Sequence, residues 1–204
     1  MADGPVIQRA SERALRHGFG LDEVLKVVTA ARTQTEVPII LFSYFNPLLQ
    51  FGIEKLVDEA KRSGVDGILV TDLTPEEAGE FADTLRPHKL DLIFLVAPTS
   101  TDERLQMIAE RASGFIYAVS RAGVTGARAE MSAEAEALVK RVRRFSDLPI
   151  AVGFGISKPE HVADVWRYAD AAVVGSAIVA EIEQAQVPAE AVARVGRFAR
   201  ELIS

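Results

Sequence analysis

The sequence predicts an α/β fold of repeated β/α units around a parallel sheet. Two observations predict it. Six short apolar runs recur along the 204 residues: "PIILFSY" (38–44), "GILVTD" (67–72), "LIFLVAP" (92–98), "FIYAVS" (115–120), "PIAVGFG" (149–155) and "AAVVGS" (171–176). None alternates polar with apolar residues, which suits strands covered on both faces. Helical periodicity fills the intervals, at 53–63, 75–86, 101–112, 132–145 and 158–168, and a last helix is expected at 188–203. Strand, short loop, helix and short loop thus repeat six times.

The segment ahead of the first run is different. "ADGPVIQRASERALRHGFGLDEVLKVVTAAR" reads as two helices, about 5–17 and 21–33, joined at Gly18 and Gly20, with no strand before them. Six strands suit an open doubly wound sheet. A closed (β/α)8 barrel takes eight strands and typically about 250 residues. On the barrel reading, about two βα units are absent from the start.

Helix starts carry their own signals. In "TPEE", Thr74 is expected at an N-cap, with Pro75 at the first helical position and Glu77 closing a capping box. "STDE" offers the same box to Ser100 and Glu103, and "SKPE" to Ser157 and Glu160.

Composition bounds the function. Hydrophobic residues make up 49% of the chain and charged residues 25%, enough for a sizeable core. The net charge of −6 provides no basic field for nucleic acid or an anionic membrane. The densest basic run, "KRVRR" (140–144), lies in a helical pattern and reads as a solvated face. With no cysteine, disulfides, thiolate chemistry and cysteine-based zinc sites are excluded; His17, His88 and His161 lack metal-ligand spacing, so no metal site is expected. No apolar stretch reaches the roughly 18 residues of a membrane span, and no signal peptide is read at the start. A cytoplasmic protein is expected.

Three loops carry candidate chemistry. In "GFGIS", Gly153 and Gly155 end an apolar run just before a helix start. Glycines there admit close approach to backbone N–H groups, as anion sites require; a plain tight turn is the alternative. Phe154 would wall a neighbouring apolar pocket. "VVGSAIV" again ends a run in a glycine, Gly175, followed by Ser176 and a short helical run. Two late strands ending this way match the phosphate site of many β/α barrels. "SRAGVTGAR" (120–128) reads as a lid or an ordinary surface loop, with Gly123 and Gly126 as hinges and the Thr125 hydroxyl facing a ligand. The dinucleotide fingerprint and the P-loop are both excluded, since the third glycine and the GK[ST] ending are absent.

"ADGPVIQRASERAL", "SYFNPLLQFG", "VTDLTPEEA", "SRAGVTGA", "GFGIS" and "GSAIV", in this order and spacing, resemble the tryptophan synthase alpha chain family over essentially the whole sequence. The resemblance implies a (β/α)8 barrel, here without about its first two βα units. It implies cleavage of indole-3-glycerol phosphate to indole and glyceraldehyde 3-phosphate. It also implies a beta-chain partner in a two-alpha, two-beta assembly. The alpha chain itself uses no cofactor, pyridoxal phosphate belonging to the beta chain. Such a retro-aldol cleavage needs an acid for the ring carbon, a base for the glycerol hydroxyl, a carboxylate at the ring nitrogen and a phosphate anchor.

Residue by residue, the resemblance makes Asp3 a catalytic carboxylate; without it, "DGP" reads equally as a helix cap or turn. The family's glutamate belongs to sequence ahead of "ADGP", so cleavage by these 204 residues alone is expected to be feeble. Tyr44 and Tyr117 match pocket tyrosines, against the common fate of a core aromatic. Gly126, Gly155, Gly175 and Ser176 match the phosphate anchors, and Phe154 the indole-side wall. Asp72 matches a residue facing the partner chain; a loop hydrogen bond is its alternative. Another phosphate-binding barrel enzyme and a non-catalytic chain that binds a beta subunit remain as competing readings.

Overall fold

The computed structural model describes residues 3–119, 128–153 and 155–204. Two helices come first, α1 (Pro5–Arg16) and α2 (Leu21–Arg32), then β1 (Ile40–Ser43), α3 (Phe45–Phe51) and α4 (Ile53–Ser63). They are followed by β2 (Gly67–Val70), α5 (Gly79–Leu85), β3 (Asp91–Val96), α6 (Asp102–Arg111) and β4 (Ile116–Val119). The chain continues through α7 (Arg128–Val142), β5 (Ile150–Gly153), α8 (Pro159–Val165), β6 (Ala171–Val173), α9 (Ser176–Glu183) and α10 (Pro188–Leu202).

The six strands form one parallel sheet in sequence order, β1 to β6, a half-barrel with helices on its outer side. Sequential parallel order excludes the doubly wound alternative, in which the order reverses at a switch point.

The inner strands of the sheet have two covered faces. Outward side chains, among them Ile68, Ile116 and Ile150, pack with Leu48, Leu56, Leu85, Leu105 and Leu138 of the helices. Inward side chains form a second, smaller cluster of Leu69, Ile93, Tyr117 and Ala151. That double coverage is why β2 and β5 are buried at every position and show no alternation. Burial fades at the two sheet edges, where Phe42 of β1 is 57% exposed and β6 has no fully buried residue.

The same device pins two strand starts at the amino-terminal end of the sheet. Asp66, just before β2, accepts the Ile39 amide at 2.7 Å and pairs with Arg32 of α2. Asp170, just before β6, accepts the Ile150 amide at 2.7 Å and Arg143 at 2.8 Å. Those bonds hold the Asp170 carboxyl below its ordinary range, the Ile150 amide being the largest cause.

Local signals were outweighed at several helix starts. Thr74 does pair with Glu77, its hydroxyl donating at 2.9 Å, but the pair closes a turn and α5 begins only at Gly79. Neighbouring α6 holds that turn: Arg104 takes Glu76 at 2.8 and 3.2 Å, and Arg111 donates to the Pro75 carbonyl. At α6 the cap is Thr101, which accepts the Arg104 amide at 3.3 Å, because the Ser100 hydroxyl accepts the Ala97 amide instead. At α8 the N-cap is Lys158, with no side-chain bond, while the Ser157 amide donates to His161 Nδ1 at 3.1 Å. Helix α3 lies within "SYFNPLLQFG", between the first apolar run and the helical pattern at 53–63. Its Pro47 sits in the first turn, where a missing N–H costs nothing.

Candidate active site

The carboxyl ends of the strands carry several of the residues singled out above. Tyr44 directly follows β1 and is the N-cap of α3. Asp72 lies two residues beyond β2, Gly155 two beyond β5 and Gly175 two beyond β6. This is the rim on which β/α barrels build their active sites.

Asp3 is not a helix cap. Gly4 holds the N-cap of α1 without a side-chain bond, and Pro5 opens the helix. The Asp3 carboxylate turns instead to Tyr44, whose hydroxyl donates to Oδ2 at 2.8 Å. The backbone of Asp3 is fixed from its own helix, because Gln8 Nε2 donates to its carbonyl at 2.7 Å. Gln8 had no signal in the sequence beyond its place one turn into an amphipathic helix.

Tyr44 is fixed in turn. Asp72 Oδ1 accepts the Phe45 amide at 2.7 Å, and the Ser43 carbonyl accepts the Thr71 amide at 3.0 Å. Asp72 thus has a loop hydrogen bond and is also exposed.

Tyr117 points inward from β4 and is 9% exposed. Burial raises its phenol above the ordinary value. Its ring meets Phe42 edge-on, centroids 6.1 Å apart at 87°. The ring also fills the space beside Gly153, where a Cβ would overlap the Tyr117 hydroxyl and ring carbons. Gly153 therefore serves side-chain packing rather than ligand approach, a correction to its reading as part of the anion corner.

Gly155 and Gly175 differ from Gly153. A Cβ at either would meet nothing within 4 Å, and Gly155 has a left-handed φ of +48°. Gly175 caps α9, and Ser176 begins that helix. Open backbone beside a helix N-terminus suits an anion. The Gly123, Thr125 and Gly126 positions of the expected lid, and Phe154, lie outside the described residues. Among the described residues no cluster of His, Asp and Glu could hold a metal ion.

Comparison with known proteins identifies the family. The family model described as "Tryptophan synthase alpha chain" matches residues 1–203. The tryptophan synthase alpha chain of Solibacter usitatus is 48% identical over 202 residues, 99% of this chain and 76% of that protein. Its counterpart from Roseiflexus sp. (strain RS-1) is 49% identical over 203 residues, 99% of this chain and 77% of that one. Among solved structures, one of the tryptophan synthase α2β2 complex of Pyrococcus furiosus superimposes with a TM-score of 0.91 at 41% identity, covering 100% of this chain and 82% of that chain. A ligand-free tryptophan synthase from M. tuberculosis gives 0.86 at 34% identity, covering 100% and 77%. With its half-barrel and these relatives taken together, the chain belongs to the tryptophan synthase alpha chain family.

Proposed function

We propose that residues 1–204 form one incomplete β/α-barrel domain, a half-barrel whose rim binds indole-3-glycerol phosphate for its retro-aldol cleavage to indole and glyceraldehyde 3-phosphate. The observation that carries this reading is the Tyr44–Asp3 hydrogen bond on the same rim as the open backbone of Gly155 and Gly175.

In the cleavage, a proton added to ring carbon C3 leaves positive charge on the indole nitrogen. A base removes the proton of the glycerol hydroxyl next to the scissile bond. The electrons of that O–H bond form the aldehyde C=O, the C–C bond breaks, and its electron pair restores the aromatic ring. Asp3, facing the ring nitrogen, stabilises the charge that exists between these events. Tyr117 walls the apolar part of the pocket, where burial raises its phenol above the ordinary value. Gly155, Gly175 and Ser176 offer backbone to the phosphate, whose binding energy holds the scissile bond in place. By the resemblance of their motifs, Gly126 is proposed for the phosphate site, Phe154 for the ring wall, and Gly123 and Thr125 for a lid.

A beta chain is the proposed partner, in a two-alpha, two-beta assembly, with exposed Asp72 at the contact. Pyridoxal phosphate belongs to that beta chain. A cytoplasmic location accompanies the biosynthetic role. Among the described residues no helix is long and apolar enough to cross a membrane.

The test is substrate binding by calorimetry together with indole release, measured for wild type and Asp3→Asn. The reading expects binding in the wild type. It also expects indole release in Asp3→Asn to fall by about a hundredfold or more, whatever the absolute wild-type rate. No binding, or release undiminished by Asp3→Asn, overturns it.

A further inference from the structure

Asp3 and Tyr44 are 41 positions apart in the chain and meet through a single hydrogen bond of 2.8 Å. Both ends of that bond are anchored. Gln8 Nε2 holds the Asp3 carbonyl at 2.7 Å from α1. Asp72 Oδ1 holds the Phe45 amide at 2.7 Å, directly after Tyr44. The Thr71 amide bonds the Ser43 carbonyl at 3.0 Å, directly before it. The phenol is therefore presented from a backbone fixed on both sides.

We propose that Tyr44 is a positioning residue for Asp3: its hydroxyl holds Oδ2 so that Oδ1 is presented to the ring N–H of an indole ligand. The pocket-lining role expected from its sequence match becomes secondary. Tyr44 acts through the carboxylate rather than by touching the reacting atoms. This inference rests on the function proposed above.

The discriminating experiment is a double-mutant cycle on Tyr44→Phe and Asp3→Asn. The probe is indole-3-propyl phosphate, which keeps the ring N–H and the phosphate but has no hydroxyl to cleave. Tyr44→Phe removes one oxygen and keeps the ring, and near-UV circular dichroism checks that the site stays packed. With Asp3 in place, Tyr44→Phe should weaken the probe by about tenfold, the scale of a lost hydrogen bond to a charged group. In the Asp3→Asn background it should change affinity by less than about twofold, because no carboxylate is left to position. A pocket wall, or a direct bond from Tyr44 to the probe, would give equal losses in both backgrounds. That result overturns the positioning role while leaving the site itself intact. If the wild type does not bind the probe, or Asp3→Asn binds it as well as the wild type does, the underlying function fails and the inference falls with it.

Discussion

The Tyr117 hydroxyl occupies the space that any side chain at residue 153 would need. A Cβ on Gly153 would overlap that oxygen and the adjoining ring carbons Cζ and Cε2. Because β4 and β5 are hydrogen-bonded neighbours, with Tyr117 beside Ala151 and Val119 beside Gly153, the ring lies diagonally across to residue 153. Gly153→Ala should therefore force the ring off its position, at a cost typical of overpacking, about 1–3 kcal/mol. The urea midpoint should fall with an unchanged m-value. Adding Tyr117→Phe should recover little, since ring carbons also stand in the way, whereas Tyr117→Leu should recover more. An unshifted midpoint in Gly153→Ala would mean that the ring does not sit there.

Gly175 makes the opposite prediction. A Cβ there has nothing within 4 Å, and the φ of −109° is not left-handed. Gly175→Val should leave stability within about 0.5 kcal/mol of wild type, as for a surface change. If the phosphate of the substrate lies against this backbone, the same variant should lose at least about tenfold in affinity for a glycerol phosphate ester, or about 1.4 kcal/mol. Calorimetry with glycerol 3-phosphate checks it. Unchanged affinity would remove Gly175 from the phosphate site.

Two glycines, 153 and 155, thus look alike in the string "GFGIS" and do different things. Strand geometry separates them: one still lies in β5 against a neighbour's ring, and the other is beyond it in open, left-handed backbone. The parallel strands themselves were legible because burial on both faces writes continuous apolar runs. The Thr74 box was equally clear and misleading, because its signal is local while Arg104 and Arg111 act from another helix. The Asp3–Tyr44 bond left no local trace, as it exists only once β1 and α1 are placed in space. The match to a known family marked both residues but not their contact.

Helix α1 has no fully buried residue, and ion pairs are among the contacts that tie it to α9. Glu183 of α9 takes Arg9 at 2.8 Å through both oxygens and Arg13 at 2.8 Å. These partners, Arg9 foremost, hold the Glu183 carboxyl down at about 2. A carboxyl lowered on folding adds stability that is complete above its ordinary value of 4.5 and lost as pH falls from there through about 2. The α1 amides should therefore exchange faster, relative to their intrinsic rates, as pH drops through that window. Glu183→Gln should show the fast exchange already at neutral pH and converge with wild type at the acid end. Because the pair is exposed, salt of about 1 M should weaken the difference. Equal α1 protection in both proteins at neutral pH would show that the ion pair does not secure the helix.

The sheet ends raise the last expectation. Strands β1 and β6 occupy opposite ends of the sheet order, and each pairs with one neighbour. Their outer edges present backbone N–H and C=O groups that no described strand takes up, on segments as apolar as "IILF" and "AAVV". The two ends of the fold meet through helices, by way of Arg9 and Arg13 on Glu183, and not through strands. Phe42 stands on the β1 edge with 57% of its surface exposed. Parallel edges of this kind accept strands from other chains unless charge or proline blunts them, and neither edge strand contains a lysine or a proline. The 204-residue chain, purified alone, should therefore associate through these edges. Its light-scattering mass should rise with concentration above that of a monomer. Phe42→Lys places a charge on the edge and should lower that mass, at the cost of the edge-on contact with Tyr117, about 0.5–1.5 kcal/mol. A second variant, Ile40→Lys, tests the same edge without disturbing that ring pair. A mass that stays at the monomer value across the whole concentration range would show that the edges are closed in solution by something other than a partner strand.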